Sequence, residues 1–286
     1  MPEKYQEKFE SLIAKNDLLS LKEVMQLQAK PAVALNAGAK SEALPMGQSK
    51  LGGRPDAPQD FKWPTKDDKP LSFVAQINLS ELPAIAGSQL PTQGLLSFFY
   101  NNEVWGFDPK DKGGFRVFYF AENQLSQILP PPAVIEKKFF GMFSKTKAVH
   151  EFASCSLTPE IILTLPYNLD GIELSDEQSS NYCNLLDDIG GQHRLFGHPV
   201  LVQNEMELEC ELVTNGLYCG DATGYKDPRA AELEKNCYQW KLLLQINSED
   251  NAEMMWGDLG MLYFWIKEED LAALRFDKCW MISQCH

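Results

Sequence analysis

The sequence predicts an α+β fold with mostly antiparallel sheet, an internally duplicated unit with a pseudo-twofold, and N-terminal helices. Three observations carry this expectation. Strand-like runs outnumber helical ones, and the middle of the chain does not alternate in βαβα order. Links of hairpin length, such as Asn101 to Gly114, join strands without a crossover helix. Three short blocks also occur twice, in the same order.

Taken in order, the elements start with helix. Tyr5, Phe9, Leu12 and Ile13 fall at i, i+4, i+7 and i+8, and a second helical run passes through Leu18, Leu21, Val24, Met25 and Leu27. Pro31 ends that run, and a loosely ordered stretch from Ala32 to Met46 is expected to lead into the body. Strands are predicted at Leu71 to Ile77, Leu95 to Tyr100, Phe115 to Phe120, Glu160 to Leu165, Glu207 to Val213, Trp240 to Ile246, Met261 to Ile266 and Phe276 to Ser283. Each is short, rich in β-branched or aromatic residues, and bounded by Gly, Pro or Asn. Ser175 and Gln178 form a capping box ahead of the apolar face Tyr182, Leu185, Leu186 and Ile189, and Gly190-Gly191 stops that helix. A third helix is expected to start at Asp227-Pro228, with Asp as cap and Pro at the first helical position. The expected organisation is an N-terminal helical segment, 1–44, packed on a single domain, 45–286. That domain would consist of two similar halves, about 45–150 and 190–286, joined by a strand–helix connector.

The repeated blocks define the halves. Lys50-Leu51-Gly52-Gly53-Arg54-Pro55 matches Arg194-Leu195-Phe196-Gly197-His198-Pro199, Gln76-Ile77-Asn78 matches Gln245-Ile246-Asn247, and Gly94 to Phe99 matches Gly260 to Trp265. The offsets are 144, 169 and 166 residues, so the second copy carries an insertion, placed at Glu205 to Glu234. Gly260 belongs to the repeat, whereas Asp258 does not, because Leu90-Pro91-Thr92-Gln93 precedes Gly94 in the first copy. An unrepeated Asp is what a single site would produce. It is equally what a turn uses to hold its own backbone N–H groups.

The segments LGGRPDAP, FKWP, LSFVAQINL and GLLSFFY, followed by HRLFGHPVLVQ, LLLQINS, WGDLGMLYFWI and RFD, resemble the YwqG-like family of uncharacterised, mostly bacterial proteins. The resemblance runs from Leu44 to the C-terminus. It implies an α+β domain of unknown function in the cytoplasm, and it brings no activity, cofactor or catalytic set.

Composition narrows the function classes. A hydrophobic fraction of 44% and an aromatic fraction of 11% fit an ordered globular chain. A formal charge of −14 repels phosphate backbones and anionic lipid, so neither nucleic acid nor membrane is expected as a partner. The densest basic run is Lys137-Lys138 with Lys145 and Lys147. No apolar stretch reaches the ~18 to 20 residues of a membrane span, and the N-terminal residues lack an apolar signal core. The seven cysteines form no C-x-x-C pair, which suits reduced cytosolic thiols.

Candidate ligand-binding residues are Arg54, His198, Asp258, Trp256, Gln76 and Gln245. Arg54 and His198 occupy matching places between a Gly and a Pro, and a pseudo-twofold would let two basic groups face one anionic ligand. Asp258 with His198 would make an acid/base pair, or each would be a plain turn residue. Trp256 is either groove wall or core. Gln76 and Gln245 end matching strands, where a buried amide must find partners. No metal is expected, because the four histidines lack ligand spacing and Asp221 and Asp227 lack the calcium-loop order. No cofactor is expected either, since the paired glycines are too brief for a phosphate cradle and no G-x-S-x-G elbow occurs. The expected function is a cytosolic, non-catalytic binding or interaction protein for a small molecule or protein. The alternative is an enzyme for a small anionic substrate, with Asp258 or His198 as base and Arg54 as anion clamp.

Overall fold

The computed structural model describes residues 3–84, 88–121, 124–132, 136–137, 143–144 and 149–286. Lys138, Lys145 and Lys147 of the basic run lie outside this set. Among the described residues ten strands share one sheet: β1 Lys30–Lys40, β2 Lys50–Leu51, β3 Ser72–Asn78, β4 Leu95–Tyr100, β5 Phe115–Phe120, β6 Cys155–Thr164, β7 Arg194–Leu195, β8 Trp240–Asn247, β9 Met261–Lys267 and β10 Trp280–Gln284. Their order is β10-β9-β8-β7-β1-β6-β2-β3-β4-β5, and every pairing is antiparallel.

The sheet curls until its ends meet, nearly closing a barrel. Phe115 of β5 packs on Trp280 of β10 at 5.0 Å between ring centroids, and Phe98 of β4 on Phe264 of β9 at 5.1 Å. The loop between β4 and β5 seals the seam. Trp280 donates its indole N–H to the Gly106 carbonyl at 2.8 Å, and the Ser283 N–H reaches the Trp105 carbonyl at 2.9 Å. That covers the open edge of β10, which would otherwise offer free backbone groups.

Period-two alternation assigns the faces of β1. Val33 and Leu35 enter the barrel core, while Ala32 and Ala34 face the helices. The helical layer comprises α1 Glu3–Lys15, α2 Lys22–Gln28 and α3 Asp176–Ile189. It buries Phe9, Ile13, Met25, Tyr182, Leu185 and Ile189 on that outer face. The α3 capping box forms as the spacing predicts, and Gly190 ends the helix at φ 69°. A third cluster, Leu71, Phe73 and Phe99 with Phe61 and Trp63, explains the FKWP segment as an apolar cover on the barrel exterior.

Several expectations need correction. Ala32 to Met46 is not loosely ordered as a whole, since Lys30–Lys40 is the long strand that joins the two wings of the sheet. Its alanines and glycine hid it from propensity, yet small side chains let the 191–197 loop approach closely. A Cβ at Gly191 would stand 3.1 Å from the Ala34 Cβ, and one at Gly197 2.7 Å from that of Ala32. Pro31 begins this strand instead of merely ending a helix, as position two of a strand tolerates. Glu207 to Val213 is a helix, α4 Glu207–Thr214, because Met206, Cys210 and Val213 recur at helical spacing and are buried. The final strand starts only at Trp280, after a 3₁₀ turn at Phe276–Lys278. β6 starts earlier than predicted, at Cys155. Asp227 accepts the Arg229 N–H at 2.9 Å, but the helix that follows begins at Ala230. None of the helices among the described residues is long and apolar enough to cross a membrane, and all seven cysteines are free.

Candidate functional site

Gln76 and Gln245 are fully buried on β3 and β8, and each locks a nearby loop. Gln76 accepts the Asp56 N–H at 3.0 Å and donates to the Gln48 carbonyl at 2.9 Å. Gln245 accepts the Val200 N–H at 2.8 Å and donates to the Gln192 carbonyl at 2.7 Å. Neither bonds to the other. Gln76 also donates to Asp56 Oδ2 at 2.7 Å, and that oxygen meets the buried Lys50 Nζ at 3.2 Å.

Arg54 is exposed and pairs with Glu151 at 3.3 Å. His198 holds the Gln28 carbonyl through Nε2 at 2.9 Å, and burial pushes its pKa down to about 4. Its backbone N–H donates to Thr164 Oγ1 at 2.9 Å. Asp258 is exposed in a turn between Gly257 at φ 60° and Leu259 at φ 49°, and its carbonyl accepts the His286 N–H at 3.1 Å. Gly260 is required by crowding, since a Cβ there would run into the Gln284 and Trp256 carbonyls. Trp256 is a buried core residue, edge-on to Tyr100 and Phe152 at 5.7 and 5.3 Å. Among the described residues no hydrogen bond or ion pair joins Arg54, His198 and Asp258 to one another.

A large cleft lies elsewhere. It measures about 1090 Å³ and opens between the β4–β5 loop, the N-terminal turn of α4, the segment 219–225 and the end of β10. Trp105, Phe107, Tyr167 and Tyr225 give it flat apolar walls, and Glu205, Glu209 and Asp221 give it carboxylates. Hydrogen bonds fix its shape. The Cys219 N–H donates to the Phe107 carbonyl at 2.8 Å, the Gln203 N–H to Gln284 Oε1 at 3.0 Å, and Gln284 Nε2 to the Asn204 carbonyl at 2.8 Å. Asp221 is committed to capping the short helix Ala222–Tyr225 through the Thr223 N–H at 2.8 Å. Trp105, which lines this cleft, also lies against Gly257.

Glu209 stands apart from these committed groups. It has no hydrogen bond or ion pair among the described residues, and burial alone pushes its pKa up to about 7. Two residues on, Glu211 is buried yet fully partnered, accepting from Trp240 Nε1 at 2.8 Å and pairing with Lys267 at 2.7 Å. Glu209 also raises the neighbouring Cys219 thiol, which burial pushes up to about 12. Reading α4 as a strand concealed Glu209. The helical spacing of Met206, Cys210 and Val213 is the signal that would have placed it on a rim facing a groove. No set of three or more His, Cys, Asp or Glu groups arranged to hold a metal occurs among the described residues.

No curated protein matches the chain. The signature of the family described as Domain of unknown function (DUF1963) matches residues 49–285, from just before β2 to the end of β10. The chain therefore belongs to the DUF1963 family.

Proposed function

We propose that this chain is a cytoplasmic, non-catalytic binding protein whose ligand sits in the Glu209 cleft and presents a cationic or N–H-rich group together with a flat apolar face. One observation carries this reading. Glu209 is a half-buried carboxylate with no partner among the described residues, so it costs stability in the free protein, and such costs collect where a ligand will supply the missing charge. The aromatic walls suit cation–π and stacking contacts, and the −14 charge draws basic partners. The cytoplasmic assignment rests on seven unpaired cysteines.

We also read the domain as YwqG-like and its halves as copies about a pseudo-twofold. The sheet order runs alike from both ends when β2, β3, β4 and β5 are set against β7, β8, β9 and β10. β3 and β8 carry a register shift at corresponding steps, Phe73 to Ala75 and Leu242 to Leu244. The Asn78 N–H donates to Ser49 Oγ at 2.8 Å, as the Asn247 N–H does to His193 Nδ1 at 3.0 Å.

Catalysis is the second reading, and the specific observation in its favour is again Glu209, whose pKa of about 7 suits proton transfer at neutral pH. The assignment of His198 or Asp258 as base with Arg54 as clamp ranks below it. His198 Nε2 is engaged by the Gln28 carbonyl, and Arg54 by Glu151.

The test is thermal melting with alkyl and aryl amines, guanidines and Lys- or Arg-containing tripeptides, against matched alcohols and carboxylates. A cationic ligand at 100 times its dissociation constant adds about 2.7 kcal/mol. The reading requires that shift in the wild type and its loss in Glu209→Gln. A cationic ligand that shifts Glu209→Gln equally, or no shift from any cation, removes it. Conversion of a bound ligand, seen by mass spectrometry, would put catalysis first.

A further inference from the structure

A second concavity rests on a different observation, and nothing in it depends on the Glu209 cleft. Lys50 and Arg194 both open two-residue strands and pair with a strand glutamine, Gln76 and Gln245 respectively. Asp56 and Val200 hold corresponding places, each donating its N–H to that glutamine. The two corners differ in their neutralisation. Asp56 answers the Lys50 ammonium, whereas Val200 offers Arg194 only methyl groups.

Arg194 is 3% exposed. Its Nε, Nη1 and Nη2 donate to the carbonyls of Gly191, His198 and Gly190 at 2.5, 3.0 and 2.6 Å. These three bonds satisfy three of its five N–H groups and leave two open. No carboxylate pairs with it among the described residues. The C-terminal end of α3 contributes roughly half an opposing charge, which neutralises the cation in part. Burial lowers the Arg194 pKa to about 10, so it stays charged at neutral pH.

Arg194 lines a cavity of about 230 Å³ and is the one cation in its lining. Leu165, Leu186, Ile189 and Val200 supply apolar wall, and Asp187 and Cys183 stand exposed at the rim. At ~30 Å³ each, about seven or eight water-sized groups fit. We propose that this cavity binds a small monocarboxylate with a compact apolar body, whose oxygens take the two open N–H groups of Arg194. Charge-assisted bonds of this kind suit a carboxylate's paired oxygens, and the apolar wall accounts for the body. Asp187 at the rim disfavours dianions such as succinate or phosphate.

Isothermal titration of the full chain with butyrate, hexanoate and benzoate, against the matching amides and succinate, tests this. The acids bind at least about tenfold more tightly than their amides, the ratio that ~1.4 kcal/mol provides. Binding also moves the Arg194 Nε–H resonance. Val200→Asp places a carboxylate where the other corner has Asp56. It lowers the acids' affinity at least about tenfold while leaving the unfolding midpoint unchanged or raised. Should Val200→Asp not fold, Leu186→Trp fills the cavity and gives the same loss. Amides that bind as well as acids, no binding by any acid, or full affinity in a folded Val200→Asp or Leu186→Trp protein would each overturn the proposal.

Discussion

Two corners of the barrel solve the same backbone problem and leave opposite charge problems. At the first, Gln76 holds the Asp56 N–H and the Gln48 carbonyl, and Asp56 neutralises buried Lys50. At the second, Gln245 holds the Val200 N–H and the Gln192 carbonyl, and Arg194 has carbonyls but no carboxylate among the described residues. Loop locking and charge neutralisation are therefore separable tasks. A fold can keep the first at both corners while leaving the second unfinished at one. The same contrast recurs within α4, where Glu211 is fully paired and Glu209 is not.

The largest effect that would break this comparison comes from Asp56→Ala. It strands a buried ammonium and leaves the Gly47 N–H, held by Asp56 Oδ2 at 2.8 Å, without an acceptor. The expected loss is about 3–5 kcal/mol in urea unfolding. Adding Lys50→Met to that variant removes the stranded charge and recovers most of the loss. If Asp56→Ala alone costs less than about 1 kcal/mol, the ion pair is not what finishes the first corner. Next come Gln76→Leu and Gln245→Leu, each orphaning a backbone N–H and a carbonyl at about 1–3 kcal/mol. Gln76→Leu costs the more of the two, since Asp56 also loses its 2.7 Å donor. Equal losses would place Asp56 outside the Gln76 network. Within α4, Glu209→Gln raises stability by about 1–2 kcal/mol at pH 8, where the native carboxylate is charged and half-buried, while Glu211→Gln lowers it.

Much of this architecture was legible in the residues. Short runs rich in β-branched and aromatic residues, bounded by Gly, Pro or Asn, located β3, β4, β5, β8 and β9, and the Ser175–Gln178 box fixed the start of α3. β1 was missed because its strand character comes from position. Ala32 and Ala34 fit beneath a loop and helices that only the assembled fold supplies, and alanine itself carries little strand preference. α4 was missed because E-L-E-C-E-L-V alternates like a half-buried strand, and the helical spacing becomes visible only when Met206 is included. Gln76 and Gln245 were chosen as matching residues at strand ends, and they emerged as paired structural amides. Glu209 and Arg194 did not emerge, because a missing counter-ion is a fact about neighbours in space, and one sequence shows neighbours only along the chain.

The smallest expected effect is a pH dependence in which two half-buried groups oppose each other. His198 has its pKa lowered from 6.5 to about 4, so between those values the unfolded chain binds the proton and the folded one does not. Its contribution is present above pH 6.5 and is lost as pH falls toward 4. Buried His193 is lowered in the same direction by desolvation. Glu209 is raised from 4.5 to about 7, so the folded chain holds the proton longer. Its contribution is greatest below pH 4.5 and fades as pH rises to 7, and Glu207, also raised by burial, adds to that slope. Between about pH 4.5 and 6.5 the slopes run against each other and the wild type stays within about 1 kcal/mol. His198→Gln keeps a donor for the Gln28 carbonyl and removes one slope, so its unfolding midpoint falls as pH rises through that window. Glu209→Gln removes the other, and its midpoint rises. Exposed pairs such as Lys15–Asp188 are common to all three proteins and cancel in the comparison. Parallel pH profiles for the two variants would mean that neither group carries its buried charge alone, and the contrast between committed and open carboxylates would then fail at Glu209.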